Sequence, residues 1–127
     1  MQIGEVAART ELSIRTVRHY DEVGLVTPSA RSAGGFRLYT EGDVQRLLVI
    51  RRMKPLGFSL VEMRDLLDAL AALENPRSSA DDRRRAAEQL AGFQDKATES
   101  AARLRKQLAY ADELVGILRS RSSGVLS

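Results

Sequence analysis

Apolar residues recur mostly at helical spacing along the chain, and the pattern predicts five helices interrupted by one short hairpin. The first two helices are short: residues 3–9, and a helix that begins at Ser13, whose hydroxyl can cap its first turn. In the second helix Ile14 and Val17 lie three residues apart and are expected to share one buried side. Two short helices joined by such a turn are typical of a helix-turn-helix, although a plain helical hairpin with solvated charges has the same pattern.

The pattern changes from helical to alternating before the third helix. Gly34 and Gly35 form a hairpin-type turn signal, and residues 36–39 alternate apolar with polar side chains. A two-stranded hairpin after a helix-turn-helix is a wing. The alternative is a solvated loop in which Arg37 pairs with a local carboxylate and Tyr39 fills the core.

Two capping signals predict where the third and fourth helices begin. Thr40 and Asp43 have the spacing of a capping box, and Ser59 and Glu62 form a stronger one ahead of an apolar run. The third helix is apolar on a broad face and basic elsewhere, whereas the fourth, roughly residues 60–73, pairs a leucine stripe with an acidic face. We expect that acidic face to point away from nucleic acid.

The last predicted helix, residues 80–119, has about 40 residues and is therefore roughly 60 Å long. Such a helix extends past a domain built from residues 1–74, with residues 75–79 as a linker and residues 120–127 as a polar, flexible tail. Its apolar stripe predicts a coiled coil with a second copy, while packing onto the fourth helix is the alternative. The candidate dimerisation residues are Phe93, Ala97, Leu104, Leu108, Ala111, Val115 and Leu118.

Composition narrows the classes of function. The 127 residues include no cysteine and one histidine, so thiolate metal sites, iron–sulfur clusters and disulfides are excluded and no metal or cofactor is expected. No stretch approaches the ~20 apolar residues of a membrane span, and nothing resembles a signal peptide, so cytoplasm is the expected compartment. Without a Gly-rich phosphate loop or a nucleophile–base set, an enzyme has poor support.

Charge favours a polyanionic partner mildly. The net charge is +3 and the isoelectric point is near 9.7. Residues 55–76 hold one Lys or Arg against four Asp or Glu, which argues against a uniformly basic, non-specific DNA coat.

The second helix carries the most specific candidate chemistry. It presents Arg15, Thr16, Arg18 and His19 opposite an apolar back, which suits insertion into the major groove of DNA. Arg15 and Thr16 lie in the first turn and are candidates for reading base edges, with Arg15 to guanine the most economical pairing. The predicted wing adds donors of the kind that contact phosphates, namely Arg31, Arg37 and Tyr39.

The order of these parts resembles the MerR family of bacterial transcription regulators. Four motifs match in order and spacing, at residues 3–7, 16–25, 35–39 and 56–63. The resemblance implies a homodimer, held by an antiparallel coiled coil, that binds double-stranded promoter DNA at a palindromic operator. It also implies that the dimer bends and untwists the promoter spacer, and so acts on RNA polymerase indirectly through the DNA.

The resemblance also implies roles for individual residues. Arg18 and Tyr20 match positions that contact the DNA backbone, and His19 matches a position that often holds a second aromatic residue. The complete candidate DNA-binding set is Ser13, Arg15, Thr16, Arg18, His19, Tyr20, Arg31, Arg37 and Tyr39.

Three departures from the family pattern matter. Glu11 stands where the turn usually has glycine, so strain or an altered turn is expected there, and Pro55 interrupts the end of the third helix. The sensing part is minimal, so an effector is either absent or a small organic ligand held by the coil and residues 55–80. The competing hypothesis is an architectural or recombination winged-helix protein that bends DNA without regulating a promoter; the long coil favours the regulator.

Overall fold

The computed structural model describes residues 1–126, and they form the mostly helical architecture that the sequence predicts. Two short helices, a hairpin, two further helices and a long final helix follow one another in the predicted order, so the predicted winged helix-turn-helix and long helix are confirmed. The bounds are α1 Ile3–Thr10, α2 Ile14–Glu22, β1 Ala30–Arg31, β2 Arg37–Leu38, α3 Glu41–Met53, a 3-10 helix Lys54–Leu56, α4 Leu60–Glu74 and α5 Ala80–Leu126.

Local capping fixes where the helices begin. The N–H of Thr16 donates to the Ser13 hydroxyl at 3.0 Å, which confirms the predicted cap of α2. Both predicted capping boxes form, at Thr40 for α3 and at Ser59 for α4, with reciprocal bonds between side chain and backbone. At the predicted break near Pro55, α3 gives way to the 3-10 helix.

The turn of the helix-turn-helix contains a strained residue. Glu11 ends α1 with φ 58° and ψ 25°, in the left-handed region, and is the non-glycine residue with positive φ in residues 1–126. A side chain with a Cβ costs about 1–2 kcal/mol in this conformation. The strain expected from the absence of glycine at this position is therefore present in the backbone.

Two arginines from later helices hold the ends of α1 and α2. Arg51 of α3 donates to the Thr10 carbonyl at 2.8 Å, and Arg64 of α4 donates to the Val23 carbonyl at 2.9 Å. Carbonyls at a helix end lack partners within the helix, so these bonds satisfy groups that would otherwise be left to water. They also tie the helix-turn-helix to the two helices that follow it.

The buried side of α2 differs from the predicted one. Val17 is fully buried and Tyr20 is 3% exposed, whereas Ile14 is 42% exposed, so the expectation that Ile14 shares the buried side is wrong. At 3.6 residues per turn Ile14 lies about 90° from the centre of the face that Val17 and Tyr20 define. The buried side of α2 is therefore centred on Val17 and Tyr20, and Ile14 lies at its edge.

The core of the first part of the chain gathers small and medium apolar side chains from α1, α2 and α3 and the segment that follows α2. The side chains that are 2% exposed or less include Val6, Val17, Val26, Val44, Leu47 and Ile50. This core holds α2 by one side and leaves its opposite side to solvent.

The hairpin is a two-stranded antiparallel ribbon, which we call the wing (residues 30–38). Ala30 pairs with Leu38 and Arg31 with Arg37. Gly35 has φ +83°, a conformation that its missing side chain permits at the tip. The predicted wing is thereby confirmed, although its second strand covers only Arg37–Leu38.

A buried carboxylate anchors the base of the wing to α3. Asp43 is fully buried and accepts hydrogen bonds from the Ser29 N–H at 3.0 Å, the Ser29 hydroxyl at 2.8 Å and the Thr40 N–H at 2.8 Å. Arg46 pairs with its other oxygen. Burial alone would raise the pKa of Asp43, but the bonds from Thr40 and Ser29 and the charge of Arg46 together hold it below its ordinary value.

The chain divides into two compact units, Met1–Ala91 and Gly92–Ser127, and α5 contributes to both. α5 continues to Leu126, so the predicted end at Arg119 is wrong, and residues 120–126 of the predicted tail are helical. No proline follows Arg119, and nothing in residues 120–126 adopts the left-handed conformation that commonly ends a helix. Ser127 lies outside the described residues. No helix in residues 1–126 has the length and apolarity needed to cross a membrane.

Candidate nucleic-acid interface

The exposed side of α2 presents two arginines that have no partner in the part of the chain that the structure describes. Arg15 and Arg18 are exposed, and within residues 1–126 neither makes a hydrogen bond or ion pair. Their spacing of three places them on one side of the helix, with exposed His19 beside Arg18. Guanidinium groups in this state carry unshared donors that suit phosphates or the acceptor edge of guanine.

The two hydroxyls at the start of α2 are engaged with each other. The Ser13 and Thr16 hydroxyl oxygens lie 2.8 Å apart, and the Ser13 oxygen also accepts from the Thr16 N–H. Ser13 is exposed and Thr16 is half-buried. Their observed role is to cap the helix, which fixes the direction in which the first turn and Arg15 point.

The two tyrosines of the candidate set lie in the core. Tyr20 is 3% and Tyr39 is 4% exposed, and burial raises the pKa of both phenols, with the carboxylate of Asp21 adding to the rise at Tyr39. The alternative that Tyr39 fills the core is therefore what the structure contains. At most a phenol edge of each ring remains for a contact with DNA.

The wing arginines, in contrast, are bonded within the chain. Arg37 makes a two-pronged pair with Asp21 of α2, at 2.9 and 3.1 Å, as the alternative sequence interpretation expected. Arg31 donates to the Gly35 carbonyl at 3.1 Å across the tip. The Arg37 side chain is still 52% exposed, so its charge faces solvent although two of its five N–H donors are bonded to Asp21.

An ion pair between α1 and α3 also holds a cation internally. Arg9 donates to both oxygens of Glu41, at 2.5 and 2.8 Å. The hydrogen bonds from Arg9 and from Gln45 lower the pKa of Glu41 to about 2, and the same pair raises the pKa of Arg9. Arg9 is therefore a structural cation and not a candidate for DNA contact.

The predicted dimerisation stripe on α5 is exposed to solvent from Leu104 to Leu118. Leu104, Leu108, Val115 and Leu118 are between 41% and 60% exposed, and Ala111 is exposed too. Two further members of the stripe are half-buried, namely Phe93 and Ala97. Apolar side chains left in water on one side of a helix are suited to a second helix.

α5 carries a second apolar row that was not among the predicted dimerisation residues. Tyr110, Leu114 and Ile117 are 55–57% exposed and follow one another at steps of four and three. At 3.6 residues per turn this row lies about 110° from the predicted stripe. The apolar surface of residues 104–118 is therefore broader than the seam of a two-stranded coiled coil, a signal that the helical spacing already contained.

The region predicted to hold any effector contains an open cleft of about 820 Å³ between α4 and the first turns of α5. Its floor includes Ala69 and Ala86, and carboxylates of Asp65, Asp68 and Asp82 stand among its lining residues. In residues 1–126 no three His, Cys, Asp or Glu side chains are placed so that they could hold a metal ion together.

Two protein-family descriptions match the sequence. The one described as "MerR HTH family regulatory protein" matches residues 1–70, and the one described as "MerR, DNA binding" matches residues 44–114. Together they extend from α1 into α5.

Named relatives match over different shares of their length. The HTH-type transcriptional regulator ZntR of Escherichia coli K12 is 47% identical over 66 residues, which are 52% of this chain and 47% of ZntR. The HTH-type transcriptional regulator CueR of Salmonella typhi is 34% identical over 116 residues, which are 91% of this chain and 83% of CueR. The matched part thus spans about half of ZntR and most of CueR.

A solved structure shares the fold. HiNmlR, described as a MerR family regulator lacking the sensor domain and bound to promoter DNA, matches with a TM-score of 0.66 and 23% identity. The match covers 91% of this chain and 85% of HiNmlR. At that identity the likeness concerns the fold alone.

Proposed function

The chain belongs to the MerR family of helix-turn-helix regulatory proteins, and we propose that it regulates transcription as a homodimer bound to double-stranded promoter DNA. The observation that carries the proposal is the pair Arg15 and Arg18 on the exposed side of α2, neither of which has a partner within residues 1–126. Free guanidinium groups on a helix whose other side is fixed in a core are suited to a major groove.

The proposed roles divide along α2. Arg15, in the first turn next to the Ser13 cap, reads a base edge, and Arg18, one turn later, binds a phosphate. Thr16 and His19 lie beside them and contribute secondary contacts. The wing meets the DNA backbone next to the groove that α2 occupies.

Dimerisation supplies the second half of the operator. The exposed apolar stripe of α5 pairs with its counterpart in an antiparallel coiled coil, which makes the operator palindromic. The dimer distorts the spacer at a deformation cost of about 1–10 kcal/mol, offset by contacts, and so controls RNA polymerase through the DNA. Any effector is a small organic ligand, and the site of action is the cytoplasm, where bacterial promoters lie.

In vitro selection from a random duplex pool tests the proposal. We expect a palindrome within a promoter spacer, weaker discrimination at particular bases for Arg15→Ala, and weaker binding to all DNA for Arg18→Ala. Arg77→Ala is the matched control, because Arg77 is exposed but lies in the loop between α4 and α5. Equal binding by the parent, Arg15→Ala and Arg18→Ala would refute the groove assignment, and bent DNA without any promoter element would favour an architectural protein.

Oligomeric state is tested separately by light scattering. Leu108→Asp places a charge in the proposed seam and is expected to yield monomers, whereas Thr98→Asp, on an exposed polar position of α5, is expected to leave the dimer intact. A parent protein that is monomeric at micromolar concentration would contradict the coiled coil.

A further inference from the structure

The end of α2 is closed largely by its own backbone. Gly24 follows α2 in the left-handed conformation, with φ +72°, and its N–H donates to the Asp21 carbonyl at 3.0 Å. The Tyr20 carbonyl accepts from the N–H of Leu25 at 2.9 Å. A turn of this kind satisfies carbonyls that the helix itself leaves without donors. The carbonyl of Val23, the residue between α2 and Gly24, instead takes its donor from a distant part of the chain.

That donor is Arg64 of α4, whose guanidinium group lies 2.9 Å from the Val23 carbonyl oxygen. α4 is well fixed at this point, because a capping box begins it at Ser59 and the two core residues on either side, Met63 and Leu67, are 2% and 7% exposed. A cation at the C-terminal end of a helix also meets the negative end of the helix dipole. Arg64 therefore joins a fixed element to the end of α2.

α2 depends on such attachments because it has little buried surface of its own. It has nine residues, and two of them, Val17 and Tyr20, are buried. Asp21 adds the ion pair with Arg37 on the side of the wing. The bond from Arg64 attaches the C-terminal end of the helix, and so it limits how far α2 can tilt about the buried pair.

The buried pair is the pivot for such a tilt. Val17 and Tyr20 lie between Arg15 towards one end of α2 and Val23 at the other. At 1.5 Å per residue, Val23 is about 7 Å and Arg15 about 5 Å from the middle of the pair. A shift of about 1 Å at Val23 therefore moves the backbone of Arg15 by roughly 0.8 Å in the opposite direction, which exceeds the ~0.5 Å within which a binding group must be held.

We propose that Arg64 is a positioning residue for sequence discrimination, because its bond to the Val23 carbonyl fixes the orientation of α2 in which Arg15 meets a base edge. The proposal rests on the proposed function, which assigns Arg15 to a base and Arg18 to a phosphate. Hydrogen bonds to a base edge weaken steeply when their geometry changes, whereas the attraction between a guanidinium group and a phosphate falls only inversely with distance. Arg64 therefore contributes to the preference for one sequence over another more than to the binding of DNA in general.

Two dissociation constants test the proposal, one for the duplex that the parent protein selects from a random pool and one for a scrambled duplex of the same length. We expect Arg64→Ala to lower the preference for the selected duplex by about tenfold, the discrimination that one base contact supplies. Arg64→Lys keeps the charge and can donate to the same carbonyl, so it is expected to restore most of the preference. Arg77→Ala is the matched control, because Arg77 is exposed and its side chain makes no bond within residues 1–126.

The same titrations separate positioning from two other roles of Arg64. Partial unfolding weakens binding to both duplexes equally, so weaker binding by Arg64→Ala with the parent preference would overturn the proposal. The slope of log Kd against log salt on the scrambled duplex is expected to stay at the parent value. A slope lower by about one would also overturn the proposal, because it would show that Arg64 itself binds a phosphate.

The orientation of α2 is the second readout, and it needs no DNA. Residual dipolar couplings measured by NMR on the free protein give the directions of the N–H bonds of α2 relative to those of α4. We expect α2 to turn relative to α4 in Arg64→Ala and to keep the parent direction in Arg64→Lys and Arg77→Ala. An unchanged direction in Arg64→Ala would overturn the positioning role. A parent that selects no DNA would instead overturn the proposed function, and with it the role of Arg64 in discrimination.

Discussion

The second helix and the wing carry the same kind of side chain in opposite states. On α2 the guanidinium groups of Arg15 and Arg18 are exposed and bonded to nothing in residues 1–126. On the wing Arg37 is paired with Asp21, and Arg31 with a carbonyl of its own turn. The difference indicates that α2 offers its charge to a partner, whereas the wing first uses its charge to hold its own shape and its place beside α2.

The largest expected effect comes from the anchor of the wing. Asp43→Ala leaves the donors of Ser29 and Thr40 and the charge of Arg46 without their buried acceptor, so we expect a loss of about 3 kcal/mol in the free energy of unfolding. Urea titration measures it. Gln45→Ala, at an exposed position of the same helix, is the control, and an equal loss in both variants would contradict the anchoring role.

Freeing a wing arginine tests the comparison directly. Asp21→Asn removes the negative charge that pairs with Arg37 and keeps the size and shape of the Asp21 side chain. We therefore expect several-fold tighter binding to a mixed-sequence duplex and a slope of log Kd against log salt that is steeper by about one. Salt titration followed by fluorescence anisotropy measures both. Asp65→Asn makes the same charge change on α4, and an equal gain there would show that net charge alone is responsible.

The next prediction concerns the strained turn before α2 and leaves the charged residues of α2 unchanged. Glu11→Gly removes the Cβ from a left-handed residue, and we expect the unfolding free energy to rise by about 0.5–1 kcal/mol, because greater freedom of the unfolded chain offsets part of the relief. The ion pair of Glu11 with Arg51, at 3.7 Å and 84% exposed on the Glu11 side, contributes little. Glu11→Ala keeps the strain, so an equal gain from it would refute this explanation.

The smallest expected effect concerns the ion pair between Arg9 and Glu41, which lies away from the proposed interface. Glu41 has a pKa of about 2, below its ordinary 4.5, so its contribution to stability is complete above pH 4.5 and is lost as the pH falls through 2. NMR titration of the Glu41 carboxyl measures the value, and Arg9→Gln is expected to move it up toward 4.5. A Glu41 pKa near 4.5 in the parent would show that this guanidinium is not held by its partner.

The parts of the fold that depend on local rules were predictable from the sequence. The caps at Ser13, Thr40 and Ser59 and the glycine at the wing tip each need only nearby residues, and each forms as expected. Ile14 was misplaced because its exposure depends on which side of α2 the core of α1 and α3 selects. The predicted end of α5 is wrong because the polar residues after Arg119 include none that breaks a helix.

The candidate site was predictable in location but not in state. The sequence identifies Arg15, Arg18 and Arg37 equally well as basic residues near a groove. Only the folded chain shows that Arg37 pairs with Asp21, sixteen residues earlier, whereas Arg15 and Arg18 pair with no carboxylate in residues 1–126. The exposure of Phe36 likewise follows from how the wing closes and not from its alternating pattern.

The central claim is that α2, and not the wing, provides the cations that bind DNA most strongly. The most direct test is the salt dependence of binding to one selected duplex by Arg18→Ala and Arg37→Ala. We expect Arg18→Ala to lower the slope of log Kd against log salt by about one and Arg37→Ala to lower it by clearly less, since Arg37 is already paired. Equal losses of slope, or a larger loss for Arg37→Ala, would contradict the claim.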